Sequence, residues 1–236
     1  PPPPPQRPLA ITRHPIFTIE TAGAVAGPSC EQDQSSLAAA LTRRTTQERF
    51  NVIQFNNTVR SLFPTPQPVT TAAMRKAIRY VEGLSADGGT EMLQALRQAL
   101  KSHQDSTRLQ QIILITDGQV GNEEELFELL THRLGTRRVF TVGIGSTPNS
   151  YLMRKTAEFG RGTFTYIGSV SEVKDNLDGL FKKLEHPVLS DIQLDRTGWA
   201  GLEHYPSRIA DLDEGEPFVL AGKAKSFPDR TILQDQ

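Results

Sequence analysis

The sequence has little of what would assign it quickly. Cysteine occurs once, at Cys30, which excludes an internal disulfide without fixing the compartment, because a domain of this size needs none. The longest uninterrupted run of Ile, Leu and Val is Ile112 to Ile115, far short of the ~20 residues of a membrane-spanning helix. No basic, apolar, small-residue pattern of a secretory signal opens the chain. An excess of one charge is missing too: 26 basic and 27 acidic side chains leave a net charge of −1. No run of Lys/Arg exceeds pairs such as Arg43-Arg44, Arg137-Arg138 and Lys182-Lys183, so the basic stripe of a nucleic-acid binder is not there. Glycine and proline, at 18 and 16 of 236 residues, fall well below the roughly 25–30% of a low-complexity chain.

What remains is ordinary soluble composition, with 37% hydrophobic and 22% charged residues, enough for one large domain or one domain and a fragment of another. Residues 1–15 open with five prolines and read as a polyproline linker, a PxxP ligand being the functional alternative. From Ile16 short apolar strands alternate with amphipathic helices. Ile16 to Ile19 reads as a strand, and Ser29 to Leu41 as a helix burying Cys30, Leu37 and Leu41. Phe50 to Phe55 and Thr58 to Leu62 form a hairpin about Asn56-Asn57. Thr70 to Val81 and Glu91 to Leu100 are helices, the second with Met92, Ala95, Leu96 and Ala99 on one face. Gln111 to Thr116 is apolar on both faces, which predicts a central parallel strand. Asn122 should cap a helix, Val139 to Ile144 is a strand, Ser150 to Phe159 a helix stopped by Gly160, and Thr163 to Tyr166 a strand. A capping box at Ser169 and Glu172 opens a last helix with Leu177 and Leu180 on its apolar face. The alternation predicts an α/β class, a doubly wound, mostly parallel sheet over residues 16–185. Residues 186–236 become β-like, in Leu189 to Leu194 and Phe218 to Ala224, too few for a core of their own. They are expected to pack on the α/β domain or to belong to an adjoining β-domain.

In such folds ligands sit beyond the carboxyl ends of the strands. That rule selects Glu20-Thr21-Ala22-Gly23-Ala24, Asp87-Gly88-Gly89-Thr90 and Thr116-Asp117-Gly118-Gln119. Glu20, Thr90 and Asp117 are oxygen donors of the kind a hard cation accepts; as plain structure they are turn chemistry, with Thr90 capping the helix that follows.

Phe50-Asn51-Val52-Ile53-Gln54-Phe55, Asp87-Gly88-Gly89-Thr90-Glu91-Met92 and Ile113-Leu114-Ile115-Thr116-Asp117-Gly118 closely resemble a von Willebrand factor A domain over about Ile16 to Leu184. The subgroup it is similar to is the inter-alpha-trypsin-inhibitor heavy-chain type, including bacterial surface proteins of the sortase-target class. The resemblance implies six sheet strands ordered 3-2-1-4-5-6 with one antiparallel edge strand, and a role in adhesion or protein binding. It also implies an extracellular, cell-surface or periplasmic location and β-rich neighbours. Metal-binding members carry Asp-x-Ser-x-Ser after the first strand, a Thr from a middle loop and an Asp after the fourth. Thr90 and Asp117 match; Glu20 substitutes for the first Asp, and Ala22 and Ala24, which lack oxygen, replace the serines. Mg²⁺ demands near-ideal octahedral geometry, so the resemblance implies a degenerate site at which Mg²⁺ or Mn²⁺ dependence is weakened or lost.

Competing chemistries fare worse. Gly23-Ala24-Val25-Ala26-Gly27 lacks the dinucleotide spacing, and Gly143-Ile144-Gly145 lacks a third glycine. Gly27-Pro28-Ser29-Cys30-Glu31 ends in Glu where a nucleophile elbow needs Gly. There is no P-loop. The histidines, His14, His103, His132, His186 and His204, are scattered without ligand spacing, and Cys30 reads as an inert small hydrophobe. The expectation is a non-enzymatic module that binds a protein partner through Ala22, Gly23, Ala24, Gly89, Thr90, Asp117 and Gly118, an acidic partner side chain completing any bound ion. The alternative is a structural mount for neighbouring β-domains.

Overall fold

The computed structural model describes residues 12–21, 34, 37, 38, 41, 42, 46–85, 87–101, 108–116, 118, 120–144, 148–168, 172, 175–177, 179, 180, 187–189, 192–195, 197–205, 209, 212, 213, 219–226, 233 and 234. Its centre is a sheet of β1 (Thr12–Glu20), β2 (Arg49–Phe55), β3 (Val59–Ser61), β4 (Gln67–Pro68), β5 (Arg108–Thr116), β6 (Arg138–Ile144) and β7 (Phe164–Ile167). The order is β3-β2-β1-β5-β6-β7, with β4 also on the edge of β2. β1, β2, β5, β6 and β7 run parallel, whereas β3 and β4 are antiparallel to β2. With the two-residue β4 set aside, this is the expected 3-2-1-4-5-6 order with an antiparallel edge.

The helices cover both faces. Successive residues of a strand point to opposite sides, and β5 shows the consequence: Ile113 and Ile115 join Phe17, Ile19, Val52, Ala77 and Val81 in one core cluster. Ile112 and Leu114 join Ile16, Ile53, Met92, Leu96, Leu126 and Leu130 in the other. Helix α1 (Thr71–Glu82) and the helical residues Leu37 and Leu41 lie over the first face; α2 (Met92–Leu100) and α3 (Glu123–Arg133) lie over the second. Helix α4 (Ser150–Phe159) packs on β6 and on α3, where Phe127 and Phe159 stack at 4.9 Å. Burial on both faces is why β5 needs no alternation of apolar and polar residues.

Three expectations change in detail. β1 begins at Thr12, so Thr12 to Pro15, assigned to the linker, are strand. Pro15 is tolerated because the β1–β2 ladder starts only at Ile16, leaving no bond on that side for the missing N–H to forfeit. Asn122 stands at the cap of α3, but its side chain makes no capping hydrogen bond, and the first turn rests on Glu123, Glu124 and Glu125 against the dipole. Glu172 accepts from the N–H of Gly168, one residue before the expected cap, at 3.2 Å; Ser169 lies outside the described residues, as do Cys30 and residues 1–11.

In the C-terminal segment, short strands pair antiparallel two by two: β8 (Pro187–Leu189) with β11 (Leu212–Asp213), β9 (Gln193–Leu194) with β13 (Leu233–Gln234), and β10 (Glu203–Tyr205) with β12 (Ala221–Lys223). A contact ties this segment to α4. The Tyr205 hydroxyl donates to Glu158 Oε2 at 2.7 Å and accepts from Lys155 Nζ at 3.0 Å, with the ammonium 4.7 Å from the tyrosine ring centre.

Candidate functional site

The parallel register places Ile19 opposite Ile115, so the next residues, Glu20 and Thr116, end adjacent central strands side by side. Glu20 is 1% exposed. A carboxylate so buried must have its oxygens satisfied or lose several kcal/mol, and hydroxyls from two distant segments supply donors. Thr90 Oγ1 donates to Glu20 Oε1 at 2.6 Å, and Thr116 Oγ1 donates to Glu20 Oε2. Thr116 Oγ1 in turn accepts from the N–H of Gly118 at 2.9 Å, which fixes the first step of the chain beyond β5.

The loop carrying Thr90 is held against β1 and β2 by main-chain bonds. The N–H of Asp87 donates to Thr21 O at 2.9 Å and that of Glu91 to Asn56 O at 2.7 Å. Thr21 is itself anchored: its N–H donates to Phe55 O at 2.8 Å, and its hydroxyl accepts from Gln54 Nε2 at 2.7 Å. Asn56 Oδ1 accepts from the Thr58 N–H at 2.9 Å, closing the turn between β2 and β3. The cap position of α2 is Glu91, without a side-chain cap bond. Thr90 is therefore not the cap of that helix; its hydroxyl serves Glu20.

Of the residues predicted from sequence, the structure brings Glu20 and Thr90 into contact. Asp117, Ala22, Gly23 and Ala24 lie outside the described residues. Gly89 is exposed and Thr90 half-buried, but Gly118 is buried, at φ +77° and close under Met153, so it shapes the rim from beneath. Sequence reading placed Thr21 and Thr116 in the selected loops and Gln54 in a strand, but gave none of the three a role. The available signal was a hydroxyl ending an apolar central strand beside another strand that ends in a carboxylate.

As arranged, Glu20 spends both oxygens on hydroxyls and Thr90 turns its proton toward Glu20. This is a hydrogen-bonded clasp, and among the described residues no group of three or more His, Cys, Asp or Glu is placed to hold a metal ion. Beside the clasp a polar cavity of about 370 Å³ is lined by Asn56, Asn57, Arg60, Tyr80 and Asp87 among others. Burial raises the Tyr80 phenol above its ordinary value, with the Arg60 charge opposing, so Tyr80 is a neutral hydrogen-bonding group there.

Comparison with known proteins follows the same lines. The chain is similar to a von Willebrand factor A domain-containing protein of Dictyostelium discoideum, 25% identical over 206 residues, which is 87% of this chain and 22% of that protein. It thus spans about a fifth of that relative's length. Among solved structures, von Willebrand factor type A from Catenulispora acidiphila superposes with a TM-score of 0.70 at 19% identity, over 93% of this chain and 56% of that one. Proximal thread matrix protein 1 from the mussel byssus, in a form with a zinc-occupied MIDAS motif, superposes with a TM-score of 0.58 at 16% identity, over 72% and 45% of the two chains. Those two show the fold alone. The model of the von Willebrand factor type A domain matches residues 16–166, well over half of the sequence, and the chain belongs to that family.

Proposed function

We propose that this chain is a non-enzymatic protein-binding module of a surface or secreted protein, of the heavy-chain or sortase-target kind, that engages its partner through the loops beyond β1, β5 and the start of α2 and does so without a divalent cation. Domains of this family typically mediate protein–protein interactions. The observation that carries the cation independence is the clasp: the buried Glu20 carboxylate is served by the hydroxyls of Thr90 and Thr116, and Ala22 and Ala24 add no oxygen. Gly89 and the polar cavity beside it supply the surface for recognition. A photo-crosslinking amino acid at Gly89, where a Cβ meets nothing within 4 Å, tests this in the parent protein. Adducts to a partner that form equally with Mg²⁺ and with EDTA are expected from position 89 and not from the exposed Glu172. Their absence, or their loss in EDTA, overturns the reading.

A second reading, a rigid mount for neighbouring β-domains, is favoured by the Lys155, Glu158 and Tyr205 contact between α4 and the C-terminal segment. In that reading residues 186–236 are part of an adjoining β-domain. Adducts from a probe at Tyr151, on the exposed start of α4, and none from position 89 would favour the mount.

A further inference from the structure

At the opposite pole, beneath the amino ends of the strands, the sheet is left open between the end of α2 and the loop that joins β3 to β4. The opening is a cavity of about 420 Å³, within the ~300–1,000 Å³ typical of small-ligand pockets. Ile16 and Ile53 form part of its floor. Gln98 bridges to Ser61 Oγ at 3.4 Å on the α2 side. The far wall is Pro64 to Pro66, held in place because Arg49 Nε and Nη2 donate to Pro66 O at 3.2 and 2.9 Å.

Its charge is one-sided. Arg49 from β2, Arg108 from β5 and Lys101 from the end of α2 converge on it beside the imidazole of His14, and none of the described residues lining it is acidic. Lys101 by itself argues little, since a cation at a helix C-terminus is favoured by the dipole. Two arginines brought to the same cavity from two strands are another matter. The hydrogen-bond partners of these guanidiniums include main-chain carbonyls, Pro66 O for Arg49 and Gln47 O at 2.9 Å for Arg108, which orient a cation without neutralising it. Among the described residues no carboxylate pairs with Arg49 or Lys101. In a partly enclosed space, Arg49 and Lys101 attract an anion more strongly than they would in open water.

We infer that this cavity binds a small organic anion, a phosphate or carboxylate whose charged head meets Arg49, Lys101 and Arg108 and whose apolar body lies over Ile16 and Ile53. The site is separate from the clasp and independent of the function proposed above. Calorimetric titration of the full chain at low ionic strength tests it with phenyl phosphate, benzoate, inorganic phosphate and benzyl alcohol. Saturable binding of phenyl phosphate or benzoate is expected, and which one is tighter tells phosphate from carboxylate. Inorganic phosphate should bind more weakly and benzyl alcohol not at all. Lys101→Met, at an exposed position, should cost little thermal stability, no more than the lost dipole contact, and weaken the anion by about tenfold, the loss of one charge-assisted contact. Arg49→Met should weaken it further, though it also frees the Pro66 loop. No saturable binding by either organic anion overturns the inference. So does unchanged affinity in Lys101→Met, or inorganic phosphate binding as tightly as phenyl phosphate.

Discussion

Thr90 Oγ1 lies 2.6 Å from Glu20 Oε1 across 70 residues of sequence and donates its proton to that carboxylate. The pair joins the loop before α2 to the end of the first central strand, and with Thr116 it accounts for both oxygens of a carboxylate that water does not reach.

Replacing Thr116 by the isosteric Val removes a donor to Glu20 and the acceptor for the Gly118 N–H. Stability should fall by about 1–3 kcal/mol, the cost of leaving buried polar groups unsatisfied. In a Glu20→Met background, where no carboxylate awaits a partner, the same substitution should cost less, a coupling that double-mutant denaturation curves measure. Equal costs in the two backgrounds would contradict the clasp.

Divalent metal should not stabilise the protein. The thermal midpoint should be the same in EDTA and in millimolar Mg²⁺ or Mn²⁺. The combined change Glu20→Asp, Ala22→Ser and Ala24→Ser, which restores the oxygen donors of metal-binding relatives, should create a metal-dependent rise, since a ligand at 100 times its Kd adds about 2.7 kcal/mol. A shift of several degrees in the unmodified chain would refute cation independence.

Gly118→Ala should destabilise through the backbone. The residue sits at φ +77°, and an added Cβ would stand 3.1 Å from Met153 Cγ; the left-handed region costs an L residue about 1–2 kcal/mol. Gly121→Ala, where a Cβ meets nothing within 4 Å, is the control and should leave the melting curve in place.

The tie between α4 and the C-terminal segment should respond to alkali. The hydrogen bond with Tyr205 is the largest of the causes that raise the Lys155 ammonium above the ordinary lysine value of 10.5, Glu158 adding to it and desolvation opposing. A lysine whose pKa is higher in the folded state stabilises that state fully below the ordinary value, and the contribution is lost as pH climbs through the raised one. Amide exchange across Glu203 to Tyr205 should therefore be slower in the native chain than in Tyr205→Phe up to the ordinary lysine value of 10.5, and the difference should close only as pH climbs through the raised value. A difference that persists unchanged into stronger alkali would show that the tie does not depend on the charge.

Much of the sheet was legible in the sequence because its signal is local. Gln111 to Thr116 announces a strand buried on both faces, Asn56-Asn57 a turn, and Ser150 to Phe159 a helix whose bounds the structure matches. The site was legible only in outline. Glu20 and Thr90 were found through their place at strand and helix ends, but a hydroxyl that clasps a buried carboxylate looks in sequence like a helix cap. Only the register of β1 on β5 shows which hydroxyl meets which oxygen. Pro15 misled for a related reason: its cost in a strand depends on which neighbour is paired at that point, a property of the sheet rather than of the residue.

The central position of β1 has a consequence for synthesis. Of the strands of this sheet β1 is made first, and it is flanked by β2 and β5; the partner for its Glu20, Thr116, is 96 residues further along. A nascent chain leaving the ribosome must keep one edge of an apolar strand uncovered until that later segment emerges, a long-range closure that slows folding and leaves the edge open to self-association. Expression at lower temperature, or with a chaperone that shields nascent apolar segments, should raise the soluble yield.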